Sequence, residues 1–450
     1  MTTWVGDLPE ALMLGAITLA VMAGAELWRK LGNPEPEWTR KLIHVGSGAV
    51  AVSFPFLLES PVTVLGLTVF FALFVVLAKR FGFLKSLYGV RRKSSGAYYY
   101  PLAILLLFLL AQDRPWLYLS AMLVLGVSDS LAALIGSQYG VIRYRVDEAD
   151  RSLEGSLVFF VAAFLVVHLP MLLMTDLPRA TCVLVAVLAA ALATAVEAIS
   201  LKGSDNLFVP LVVYLVVDRM SAKGLADIAS LNVGLLVIGL VLGFVVWRSR
   251  GFNVGGVLAM ILFGFTAWTF GPLYWALPFF LGLAIYIPLW FTPARTTGIP
   301  AAVVLEALVP TACVLVASSA FERPDFFYAP YVASITFLAV LCLTYRFRRL
   351  GQPSSWKTTA FGSALVVPSW LVTAVVPWQL HTGESFGSVL WVGLACAVGS
   401  VVNALLLMRV EPREDSVPTW PPLILLLQFL VIGAVVLLQF AGVAPLWGGA

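Results

Sequence analysis

The chain has 450 residues, 60% of them hydrophobic and 12% charged. Soluble domains carry roughly 45–50% apolar and about 25% charged residues, so a soluble enzyme or a disordered chain is excluded. Lys+Arg 28 against Asp+Glu 24 gives +4, too little for a surface that tracks nucleic-acid phosphates. The composition is that of a polytopic membrane protein.

A helix crossing about 30 Å of hydrocarbon needs about 20 apolar residues. Such runs fall at 10–28, 40–58, 62–79, 97–112, 117–137, 155–174 and 180–200, followed by a shorter one at 207–218. A second set follows at 229–247, 253–271, 274–291, 300–320, 327–345, 359–378, 387–408 and 421–441. The expected fold is therefore an all-α transmembrane bundle of about 16 spans. Residues 1–220 and 221–450 are expected to form two membrane domains, parted by the polar stretch Asp218–Asp227. The second would be a degenerate parallel repeat, with Val45-Gly46 matching Val254-Gly255. The first apolar run, Ala11 to Leu27, has no preceding Lys or Arg and is expected to be a retained span.

All but five of the 28 basic residues fall on one set of alternate loops. Those five are Arg114, Arg179, Arg219, Lys223 and Arg323. Positive charge marks the cytoplasmic side, which places both termini outside. The high share of Arg and the compact loops suit a bacterial inner membrane. The four cysteines (Cys182, Cys313, Cys342, Cys396) show neither pairing nor metal-ligand spacing and read as small core residues.

Polar groups inside hydrocarbon are costly and collect where they do something. Here they form four clusters, each at the cytoplasmic end of a span in the first half. In the second half Glu306 is the only acidic residue well inside a span. The first cluster is Trp38-Thr-Arg40-Lys41-Leu-Ile-His44, in which helical spacing sets both cations on the face of His44 and so can grip phosphate. The second, Arg91-Arg-Lys-Ser-Ser-Gly96-Ala-Tyr-Tyr-Tyr-Pro101, reads as a basic anchor with an interfacial aromatic belt. The third places Ser128-Asp129-Ser130 inside an apolar helix that leads to Gly136 and Gly140. After a polar loop comes Arg151-Ser152-Leu-Glu154-Gly155-Ser156, opening the next span. An ionised Asp129 at that depth needs a partner, a metal or water. A helix starting near Ser152 offers free N–H groups to an anion, and Gly136, Gly140 and Gly155 would let backbone approach a phosphate. The fourth cluster, Glu197 followed by Lys202-Gly203-Ser-Asp205-Asn206, supplies the hard oxygen donors that suit Mg²⁺.

Taken in order, Arg40-Lys41-x-x-His44, Ser128-Asp129 with Gly136 and Gly140, Arg151-Ser-Leu-Glu-Gly-Ser, and Glu197 with Asp205-Asn206-x-x-x-Pro210 resemble the phytol, farnesol and dolichol kinases. These polyprenol kinases use CTP or another nucleotide triphosphate to phosphorylate a lipid alcohol. The resemblance covers about residues 35–220 and departs at Arg151, where the family usually has Lys; a planar fork replaces a point-like ammonium. It implies catalytic roles for Asp129, His44, Arg151 and Glu154, with Glu154 orienting Arg151 or adding to the metal's shell. It further implies nucleotide contacts from Arg40, Lys41, Ser128, Gly136, Gly140, Ser152, Gly155 and Asn206, and Mg²⁺ on Asp129, Asp205 and Glu197. The partners implied are a lipid alcohol, a nucleotide triphosphate and the bilayer, with no nucleic acid and an open oligomeric state. Two other readings stay open at this level: a CTP-dependent cytidylyltransferase acting on a lipid phosphate, and a transporter with its site near the bilayer midplane.

Overall fold

The computed structural model describes residues 5–88, 96–111, 113–146, 149–249, 254–270, 275–280, 301–321, 323–349 and 422–441. The chain separates into two compact units, Met1–Val233 and Gly234–Ala450. The boundary lies later than the polar stretch at Asp218–Asp227, inside a helix. The expected spans at 359–378 and 387–408, most of 274–291, the Arg91–Lys93 cluster and the Glu306 side chain lie outside the described residues.

The first unit is nearly all helical: α1 (Leu8–Gly32), α2 (Pro36–Val52), α3 (Phe54–Leu57), α4 (Pro61–Phe81), α5 (Lys85–Tyr88), α6 (Gly96–Ala111), α7 (Pro115–Leu123), α8 (Asp129–Tyr139), α9 (Leu153–Met174), α10 (Arg179–Ile199), α11 (Asp205–Ser221) and the start of α12 (Leu225–Ser249). Proline in the first turn, where an N–H has no helical acceptor anyway, opens α1, α2, α4 and α7. Gly82, at φ 72, closes α4 in the left-handed conformation that only glycine adopts freely. The second unit's described helices include Val254–Phe270, Ala301–Ala320, Pro324–Arg349 and Pro422–Phe440. Among the described residues six helices are long and apolar enough to cross a membrane, with shorter apolar helices beside them. The full count of about 16 spans rests partly on residues outside that set.

Core and surface follow from side-chain size. Helix α10 is packed with small residues, and Ala186, Ala189, Ala190 and Ala193 are fully buried. Small side chains let neighbouring backbones approach, which gives dispersion contact without help from water. Helix α10 accordingly packs most closely against α9 and α11. The outer face of α4 is the reverse: Leu65, Val69, Phe70, Leu73 and Leu77 stay exposed, as lipid-facing residues do. Cys182 is a core residue as expected, whereas Cys313 is exposed on its helix; both are free thiols.

Two local features depart from the all-α expectation. The apolar run 115–139 is not one regular helix, because Val124–Ser128 forms a π turn between α7 and α8. The polar loop before α9 is an antiparallel hairpin, β1 (Arg143–Val146) and β2 (Ala149–Ser152), with Tyr144 opposite Arg151. Alternating Arg-Tyr-Arg-Val suits a half-buried strand, and its last residue, Val146, is fully buried.

The glycines also play a different part from the one expected. A Cβ on Gly136 would lie 2.9 Å from Ser152 Oγ and 3.2 Å from Gly155 Cα; one on Gly140 would lie 2.4 Å from the Gly136 carbonyl oxygen. Gly136, Gly140 and Gly155 therefore let α8, the hairpin and α9 cross closely, and none of the three lines the cavity described below. Gly136→Val or Gly155→Val should cost about 1–3 kcal/mol by overpacking. A fall in melting temperature of the detergent-solubilised protein checks this.

Candidate active site

Helix α2 carries a polar face that turns apolar along its length. Glu37, Arg40, Lys41, His44 and Ser47 repeat at helical spacing, and Val50, Ala51 and Phe54 continue the same face. All eight line one cavity of about 740 Å³, within the usual range for ligand sites. The other walls come from α1, α4, α6, α8, the hairpin and the turn before α11. Five cations line it (Arg40, Lys41, Lys79, Arg151, Lys202) against three carboxylates (Glu37, Asp129, Asp205). Met22, Ile43, Leu67, Phe71, Val75 and Ile104 give it apolar walls, and Val50, Ala51 and Phe54 carry it on past the polar residues of α2. From Glu37 to Ala51 the helix rise makes the cavity about 20 Å long. It is polar at one end and oily at the other.

Asp129 sits at the polar end. The π turn puts its N–H on the Val124 carbonyl, one residue further back than an α-helix would. That leaves the Leu125 carbonyl open, and His44 Nε2 donates to it at 3.2 Å. A carbonyl only accepts, so in the neutral ring Nε2 carries the hydrogen and Nδ1 keeps the lone pair. The Asp129 carboxylate takes a 2.6 Å hydrogen bond from Lys41 Nζ and lies 3.7 Å from His44 Nε2. Arg40 is held on its own helix by Glu37. Ser128 Oγ is buried without a hydrogen-bond partner among the described residues and does not line the cavity.

Arg151 reaches the cavity from the hairpin. Its guanidinium pairs with buried Glu197 and also donates to the Glu197 carbonyl at 3.0 Å and the Ser200 carbonyl at 3.3 Å. The Tyr144 hydroxyl is 2.6 Å from Ser156 Oγ, so the cross-strand neighbour of Arg151 is pinned as well. Burial pushes the Tyr144 phenol above its ordinary range. Glu154, expected to orient Arg151, instead accepts from the Ile142 N–H at 3.0 Å and fastens the hairpin to α9. The residue that holds Arg151 is Glu197. Ser152 is a helix cap, its hydroxyl accepting from Gly155 N–H at 3.1 Å. With that hydroxyl committed, Ser152 is not among the cavity-lining residues.

The turn before α11 brings in the last pieces. Lys202 and Gly203 both take positive φ, at 54° and 87°. Asn206 Nδ2 donates to the Gly96 carbonyl at 3.0 Å, locking α11 to the start of α6. Asp205 faces the cavity, its Oδ1 buried and without a hydrogen-bond partner among the described residues. A carboxylate oxygen so placed is costly unless something cationic joins it. Among the described residues no three His, Cys, Asp or Glu side chains converge as a ready metal cage. Mg²⁺ needs only one or two protein carboxylates when phosphates and water complete its shell, so Asp205 and Asp129 fit that ion.

Of the residues singled out in the sequence, Arg40, Lys41, His44, Asp129, Arg151, Asp205 and Asn206 line this one cavity. Glu37, Lys79, Tyr100 and Lys202 line it too and were not singled out as site residues. Glu37 was visible in principle, three residues from Arg40 and four from Lys41. Tyr100 was hidden by its aromatic neighbours.

These features define a class: a bundle of apolar helices with a cation-rich, carboxylate-bearing pocket that runs into an apolar sleeve. No protein-family model matches the chain, and no solved structure does. The chain is 36% identical over 212 residues to the phytol kinase of Synechocystis sp., covering 46% of this chain and 88% of that relative. It belongs to the polyprenol/phytol kinase-like family.

Removing Glu197 would strand the Arg151 guanidinium in a buried place. Glu197→Leu should cost about 3–5 kcal/mol, and Arg151→Met in the same chain should recover most of it. Thermal unfolding of the single and double variants measures the coupling.

Proposed function

We propose that the protein is a membrane-embedded lipid alcohol kinase, transferring the γ-phosphoryl group of CTP or another nucleotide triphosphate to phytol or a related prenyl alcohol. The observation that carries this reading is the two-ended cavity, in a chain related to a phytol kinase. A triphosphate needs clustered cations, a prenyl tail needs an oily sleeve, and here one continuous space offers both. Its polar end would open at the cytoplasmic face of a bacterial inner membrane, where nucleotide is available while the tail stays in the sleeve.

Phosphoryl transfer asks a protein mainly for positioning and charge neutralisation. Arg40, Lys41 and Arg151 hold the phosphate oxygens, and Asn206 keeps α6 and α11 together around them. Asp129 and Asp205 would hold Mg²⁺, which neutralises charge on the triphosphate when bound. The alcohol oxygen attacks the γ-phosphorus, the bond to the bridging oxygen breaks, and the nucleoside diphosphate leaves. His44 takes the alcohol's proton on Nδ1, the nitrogen left free by the Nε2 hydrogen bond to Leu125. Glu197 positions Arg151 and takes no part in the transfer itself.

Membranes bearing the protein, given phytol and CTP labelled at the γ-position, should yield labelled lipid phosphate. Label entering the lipid only from the α-position would mean cytidylyl transfer and overturn the reading. Asp129→Asn and Asp205→Asn should each lower kcat about 100-fold or more at equal membrane abundance, equivalent to about 2.7 kcal/mol of barrier.

A further inference from the structure

Where the cavity changes from polar to apolar stands Tyr100, on α6. The residue is 9% exposed, and its hydroxyl is buried without a hydrogen-bond partner among the described residues. A phenol hydroxyl left unpaired in a buried site loses its bonds to water for nothing, unless a ligand replaces them. Its ring packs at 5.0 Å from the His44 ring, centroid to centroid. Ser47, on the facing wall, donates to the Ile43 carbonyl at 2.6 Å, and its oxygen lies beside the Tyr100 phenol but outside hydrogen-bond geometry. Space for the phenol is cleared by Gly48, where a Cβ would come within 3.1 Å of the Tyr100 oxygen. One turn before the next residue, Pro101 has no N–H to give the Ala97 carbonyl, and both Ala97 and Pro101 line the cavity. An unpaired donor and a carbonyl without its usual helical donor thus occupy one level of the wall, beside His44.

We propose that Tyr100 is the residue that recognises the hydroxyl of the lipid alcohol, holding it at the His44 level while the chain lies along the sleeve. A hydroxyl both donates and accepts, which matches the pairing offered: the Tyr100 O–H gives, and the Ala97 carbonyl or His44 receives. A hydrocarbon tail offers neither half of that pairing. The assignment rests on the lipid-alcohol reading of the cavity, but its consequence is a binding preference that can be read without turnover.

The test uses the full chain in lipid nanodiscs carrying tritiated phytol. The label is displaced either by unlabelled phytol or by the hydrocarbon of the same skeleton lacking the hydroxyl. The parent protein should favour the alcohol about tenfold, and Tyr100→Phe, which removes one oxygen, should abolish that preference while leaving hydrocarbon binding unchanged. Gly48→Ala, which keeps the phenol and crowds its oxygen, should reduce the preference in part. A Tyr100→Phe protein that still favours phytol as the parent does would overturn the proposal, as would a parent with no preference. If the preference follows Tyr100 but no γ-label reaches the lipid, the recognition stands and the kinase reading falls.

Discussion

The part-buried carboxylate of Asp129 is the constraint around which the first unit is arranged. A lone ionised carboxylate at that depth would be prohibitively costly, so partners must come from elsewhere in the chain. Lys41 supplies the charge, donating to the carboxylate at 2.6 Å and lying 3.3 Å from the Asp129 carbonyl oxygen. His44, one turn on, occupies the carbonyl that the π turn releases. Three residues from two helices are thereby held in a fixed relation. Because single π turns inside α-helices often mark functional sites, the irregularity at Val124–Ser128 and the ion pair are best understood together.

Around that contact the helices are tied at both ends. On the cavity side Asn206 joins α11 to α6. At the far end of α11, Arg114 pairs with Asp218, and the Tyr214 hydroxyl donates to the Leu110 carbonyl at 2.8 Å. Asp7 does the same for α1, accepting from the Glu59 and Ser60 N–H groups at the start of α4. Between these ties α4 and α6 wall the cavity mostly with apolar side chains, with Thr68, Lys79 and Tyr100 as their polar members. The outward face of α4 is then free to meet lipid while its inner face borders the cavity, which puts an amphipathic substrate within reach from the bilayer side.

Much of the helical layout was legible because a span must be long and apolar, and that requirement is written residue by residue. The α2 portion of the site was legible for a similar reason: Arg40, Lys41 and His44 share a face by spacing alone. Arg151 and Glu197 are both conspicuous in the sequence, but each beside other partners, since they stand 46 positions apart. Glu154 looked like the natural companion of Arg151 at i,i+3, yet Arg151 is in a strand and Glu154 in a helix, so helical spacing does not apply. The glycines misled in the same way. A phosphate cradle and a close helix crossing both need a missing Cβ, and sequence cannot tell what fills the space.

What the sequence determined by itself was which parts of the chain seek lipid, which end of each helix is charged, and which residues are too costly to bury alone. Those properties are local, set by each side chain's transfer energy and by the helical period. Tertiary structure decided the pairings: Lys41 with Asp129, Glu197 with Arg151, and, among the described residues, no hydrogen-bond partner for Asp205 Oδ1 or the Tyr100 hydroxyl. Such pairings depend on distances between segments far apart in the chain, and only the packed fold supplies those distances.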